Sequence, residues 1–123
     1  MITINSGEFS RICRELYSLS DSLGIITETD QVKLAIDGAA GVGYIKLTAN
    51  DDCEKKEDAT TIQVEQPVSQ QFALSYLNMF NKASTLSVFT RLLLHQEQPL
   101  VVEFAIDSLG VLKYYLAPKV NEA

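Results

Sequence analysis

The chain has 123 residues, 46% apolar and 21% charged, with ten Lys and Arg against sixteen Asp and Glu and a formal net charge of −6. This is the composition of an ordinary globular domain, long enough to bury a core without disulfides or a metal. No apolar run is long enough to span a membrane, and the opening "MITINSGEFS" has neither a basic n-region nor an apolar h-region, so no membrane partner and no secretion signal are expected.

"MITIN" (1–5) alternates as a short strand with Ile2 and Ile4 on one face. Ser6 is the predicted N-cap of the helix that follows, with Glu8 in its first turn to suit the dipole. In "GEFSRICRELYSL" the residues Phe9, Ile12, Cys13, Leu16 and Leu19 fall on one stripe, predicted buried, while Arg11, Arg14 and Ser18 share another face. After Asp21 the period changes to two. Strands are predicted at 23–29, 31–37 and 43–49, with turns at Asp30-Gln31 and at 38–41. A solvated loop, 54–58, leads to two further strands at 60–66 and 68–72, bent apart at Pro67, which has no N–H for a central strand. A second helix is predicted over 73–84. Leu74, Leu77 and Phe80 form its apolar side, Ala73 and Tyr76 its edge, and Ser75, Asn78, Met79 and Lys82 its other side. Strands at 86–94, 99–106 and 110–117 complete the chain, the last two as a hairpin closed around 107–110.

The order is one strand, a helix, five strands, a helix and three strands. A helix followed by three strands occurs twice, at 7–48 and 73–117. The predicted class is α+β: two βαβββ halves, with both helices packed on one side of curved antiparallel sheets.

No catalytic constellation assembles. His95 is the only histidine and reads as a surface turn residue beside "QEQ". Nothing matches GxSxG, HExxH or a P-loop, and no helix opens after the glycine-rich "GAAGVG" to make a phosphate cradle. Cys13 and Cys53 form no CxxC pair and, with one histidine, no zinc set. Two free thiols in a reducing compartment, cytosol or nucleus, are expected, and no enzyme activity, cofactor or metal. The net charge taken alone argues against nucleic acid. However, much of the acid is gathered in "DDCEKKED" (51–58), and net charge hides distribution. Arg11, Arg14 and Lys82 lie on the outward helix faces. They read as a solvated surface or as a weak phosphate-tracking one, and spacing alone favours the former.

Five blocks, "SGEFSRICREL" (6–16), "GYIKL" (43–47), "FALSYLNMFNKAS" (72–84), "PLVVEF" (99–104) and "LKYYLAPK" (112–119), stand in the order and spacing of one family. The chain resembles the C-terminal half of proliferating cell nuclear antigen, the eukaryotic sliding clamp, over nearly its whole length. The resemblance implies a DNA-clamp (processivity-fold) domain, with the N-terminal clamp domain and the interdomain connecting loop absent from this chain. It implies a homotrimeric ring of six domains, helices lining the hole and sheets outside. Such a ring encircles duplex DNA without reading its sequence, tethers polymerases and repair factors, is placed by a clamp loader and works in the nucleus. This chain alone is not expected to close that ring.

Residue by residue, the resemblance implies DNA-channel roles for Arg11, Arg14 and Lys82. Ser18 and Ser75 stand at channel positions where better-known members carry a histidine and an arginine, so this channel face is less basic. Tyr44, Ile45 and Lys46 match the edge that pairs with the next subunit, and Leu16 and Leu19 match helix positions at that junction, although plain core also explains those leucines. Pro99, Tyr115, Leu116, Ala117, Pro118 and Lys119 match the site for a partner peptide whose one-turn helix buries an aliphatic and two aromatic anchors. Pro118 stops the last strand, so backbone beyond it is expected to go unpaired by the sheet, leaving Val120–Ala123 to run beside a bound peptide. The family's ubiquitin-acceptor lysine falls at Thr29, and Lys33 is not at the matching position. The other reading is a stand-alone peptide-binding or regulatory module that keeps the fold without encircling DNA.

Overall fold

Residues 1–38, 41–49, 60–106 and 109–119 are described by a computed structural model. The acidic loop with Cys53, the centre of the 38–41 turn, Asp107 and Ser108 of the last hairpin, and Val120–Ala123 lie outside the described residues. Among the described residues the elements run β1 (Ile2–Asn5), α1 (Ser6–Tyr17), β2 (Ser22–Thr27), β3 (Gln31–Gly38), β4 (Gly41–Thr48), β5 (Thr61–Ile62), β6 (Val68–Ala73), α2 (Leu74–Phe80), a 3-10 helix (Asn81–Leu86), β7 (Phe89–Leu93), β8 (Leu100–Ile106) and β9 (Gly110–Leu116). This is the predicted order, with shifted ends.

Two antiparallel sheets form, β5-β1-β7-β8-β9 and β4-β3-β2-β6. The two halves are visible in them, but each half's leading strand is lodged in the other's sheet. β1 pairs with β7, Ile2 opposite Leu92. β6 pairs with β2, Leu23 opposite Phe72. Consequently α1 carries the chain from the first sheet to the second, and α2 with its 3-10 extension carries it back. The two helices pack on each other, and the Asn78 side-chain amide reaches the Cys13 carbonyl at 3.4 Å. One core cluster joins both sheets and both helices, from Ile2, Ile4, Phe9 and Ile12 to Phe72, Leu77, Val102 and Phe104.

Local chemistry corrects several predicted details. Asn5, not Ser6, caps α1: its Oδ1 accepts the Glu8 N–H at 3.0 Å. Ser6 is instead buried. Its N–H donates to Val88 O at 2.8 Å, and its hydroxyl shares a hydrogen bond of the same length with Thr90, which pins the helix start to β7. Phe9, Ile12, Cys13 and Leu16 form the buried stripe, but Leu19 does not, because the helix has ended at Tyr17 and Leu19 is 54% exposed. Gln31 opens β3 rather than making the turn before it, and its carbonyl accepts the Glu28 N–H. The second helix is α-helical only to Phe80. The 3-10 segment that replaces its last turns buries Asn81 and Ala83, leaves Lys82 exposed and delays the next strand to Phe89. β5 is only two residues long, since it meets β1 just at Ile2 and Thr3, where that strand begins.

An aromatic cluster ties β9 to the rest. The Tyr114 ring stacks on Phe80 at 4.4 Å between centroids and meets Phe104 edge-on at 6.3 Å.

Candidate functional site

Three surfaces carry the residues singled out from the sequence. On the helix face, Arg11, Arg14, Ser18, Ser75 and Lys82 are all exposed. They are not a bare cationic stripe. Glu8 is ion-paired with Arg11 one turn away and raises the guanidinium's affinity for its proton, first by this hydrogen bond and then by charge, with Glu15 adding to it. Ser18 turns its hydroxyl back to Glu15 O at 2.6 Å. Around Ser75 the neighbours are exposed Tyr76 and Met79. Three cations therefore share the face with two carboxylates and two large uncharged side chains, an arrangement that attracts phosphate weakly.

The second surface is β4, which among the described residues pairs only with β3. Pleating divides the three residues grouped there. Tyr44 and Lys46 point outward and are exposed, whereas Ile45 turns in and packs against the core. Lys33 Nζ sits 5.4 Å from the Tyr44 ring centroid and 3.7 Å from a Glu28 carboxylate oxygen. Leu16 is core, 6% exposed. Leu19 is brought to the end of the β3–β4 hairpin, with its carbonyl close against Gly38. The leucine that failed as core is thus exposed against the Gly38 end of that hairpin.

The third surface is the end of β9. Leu116 lies opposite Leu100, and Tyr115 opposite Val101. Leu116 is buried and belongs to the core, while Tyr115 is 65% exposed; Pro99, Ala117 and Lys119 are exposed and Pro118 half-buried. The backbone beyond Pro118 does not go unpaired as expected. The Lys119 N–H donates to Gln71 O at 2.7 Å, on the free edge of β6, and the Lys119 ammonium donates to the Ser22 hydroxyl. Proline removes its own N–H, not its neighbour's, so the chain leaves one sheet and is received by the other.

A family model described as proliferating cell nuclear antigen, C-terminal domain, matches residues 1–119. The chain belongs to this family. It is a sliding-clamp domain, and its two helices and two antiparallel sheets are those of the clamp fold.

Sequence reasoning missed two features of this clamp domain. One is the edge position of β9, the third strand after α2 as β4 is the third strand after α1; the repeated helix-plus-three-strands pattern already contained that signal. The other is a set of hydrogen bonds from β6 to the turn at 95–98, for which no motif exists.

Cys13 is on the inner face of α1, fully buried. Burial pushes its thiol up to about 12 from an ordinary 9.0, with Asn81 pulling slightly the other way. Because the folded-state value is raised, the stabilisation is intact below pH 9 and is lost as pH climbs from 9 towards 12, at up to about 1.4 kcal/mol per unit. Urea midpoints of the parent at pH 7, 9 and 10.5 should fall more steeply than those of Cys13→Ala, and parallel profiles would remove the thiol from the balance. In a Cys53→Ser background, iodoacetamide at pH 8 should label Cys13 only after unfolding.

Proposed function

We propose that this chain is the C-terminal domain of a ring-shaped DNA sliding clamp, the processivity factor of replicative polymerases, acting in the nucleus as a homotrimer. Its N-terminal domain and interdomain loop lie outside the 123 residues. What supports the reading is that two of the sheet-end strands, β4 and β9, stand at equivalent places in the two halves of a family clamp domain. Each edge offers a ladder of backbone donors and acceptors to a neighbouring domain, one within the chain's own protomer and one in the next. Tyr44, Lys46 and Leu19 flank the β4 joint. Helices α1 and α2 face the DNA with Arg11, Arg14, Ser18, Ser75 and Lys82. The end of β9, with Pro99, takes partner peptides from polymerases, repair factors and the clamp loader. Nothing observed favours the stand-alone module.

The tempered charge of the helix face suits this role, because a closed ring retains DNA by topology, and tight phosphate contacts would slow sliding. Neutralising Arg11, Arg14 and Lys82 together in the complete clamp should weaken DNA association. It should also flatten the dependence of log K on log salt by up to about 0.9 per phosphate contact removed. An unchanged slope would return these residues to ordinary solvated surface.

A further inference from the structure

The turn between β7 and β8 has no glycine, yet Glu97 adopts φ +65°, in the left-handed region that a side chain disfavours. Its residues 95–98 are exposed, so no apolar burial holds the shape. Among the described residues, the hydrogen bonds that reach this turn from outside all come from β6. The Gln70 side-chain amide donates to His95 O at 3.1 Å and to Gln98 O at 3.4 Å, and its Oε1 accepts the Glu97 N–H at 2.8 Å. Ser69 N–H adds a bond to Gln96 Oε1 at 3.3 Å. One carboxamide thus brackets three backbone groups of the turn. Pro99 follows immediately. The next residue on β6, Gln71, receives Lys119 and with it the 117–119 segment. Neighbouring residues of one strand therefore hold both arms of the site at the end of β9.

We propose that Gln70 is a positioning residue of the partner-peptide site: by bracketing the 95–98 turn it fixes Pro99 relative to Tyr115–Lys119, so that a peptide meets a preset mouth. The proposal rests on the reading of that end as the peptide site. Presetting raises affinity because ordering the mouth is not charged to binding.

The probe is a synthetic peptide with an aliphatic and two aromatic anchors on a single helical turn, titrated calorimetrically into the complete clamp. Gln70→Ala should weaken binding about three- to tenfold, the effect of one net hydrogen bond. Its urea midpoint should stay close to the parent's. Gln70→Ala with Glu97→Gly should recover most of the affinity, since glycine holds φ +65° without a bracket. A merely stabilising role predicts a lowered midpoint and no rescue, and that result would overturn the proposal. Equal affinity in the parent and Gln70→Ala would overturn it too, leaving the site reading intact. Failure of the parent clamp to bind the peptide would overturn the site reading and the proposal with it.

Discussion

Replacing Phe104 with alanine should cost about 3–5 kcal/mol of folding stability, the range for emptying a large aromatic site in a core. Phe104 is wholly buried at the middle of β8, registered opposite Thr90 on one side and Leu112 on the other, and its side chain lies in the core cluster that joins both sheets and both helices. Its ring also meets Tyr114 edge-on, and Tyr114 in turn stacks on Phe80. An aromatic pair adds about 0.5–1.5 kcal/mol beyond area. Phe104→Leu keeps most of the volume and should cost much less. Urea unfolding should show the midpoint falling with an unchanged m-value. A loss under about 1 kcal/mol would mean that the site refills and that the cluster does not anchor β9.

Gly38→Ala is expected to be the most damaging glycine substitution. A methyl at that position would stand 2.1 Å from Leu19 O and 3.2 Å from Leu19 C. Both are backbone atoms, so no side chain can swing aside. Each side of the contact is tied down: the N–H groups of Leu19 and Ser20 both donate to Leu16 O, and Gly38 is registered opposite Gly41. Overpacking of this kind costs about 1–3 kcal/mol. It should also displace exposed Leu19 from its place against the Gly38 end of the β3–β4 hairpin, so the proposed ring, built with the variant, should dissociate at higher protein concentration than the parent in sedimentation. Gly43→Ala is the control. A Cβ there meets nothing within 4 Å, and about 0.5 kcal/mol or less is expected. Equal losses at the two positions would refute the steric account.

Period alone made much of this domain legible. Half-buried strands alternate, and two-sided helices repeat near 3.6, so the pattern places Ile2, Phe9, Leu74 and Leu77 inward and Arg11, Arg14, Ser75 and Lys82 outward, where they are found. The failures are of a different kind. Ser6 and Asn5 are both good caps, and which one serves depends on Thr90, a partner 84 residues away. Leu19 continues the spacing of a helix that has already ended. The short β5 and the exchange of β1 and β6 between sheets depend on pairing partners that no local window contains. As for the sites, spacing located the exposed positions, but the family resemblance supplied their proposed roles. Gln70 sits in "VSQQF", where an alternating strand offers no reason to single out one amide.

The exchange of leading strands has a mechanical side. In a closed ring, tension would run from the β4 joint to the β9 joint, across the strands, and would load the hydrogen-bond ladders in series. At the boundary between the two sheets the load meets two covalent crossings, α1 from β1 to β2 and α2 with its 3-10 extension from β6 to β7, and the core that both helices clamp. The seam at the centre is therefore stitched by the chain itself, whereas each rim is held by a single ladder. A domain wired this way yields at its margins first. Pried apart, the proposed ring would part at the joints between domains before it tore at the seam in the middle of this one.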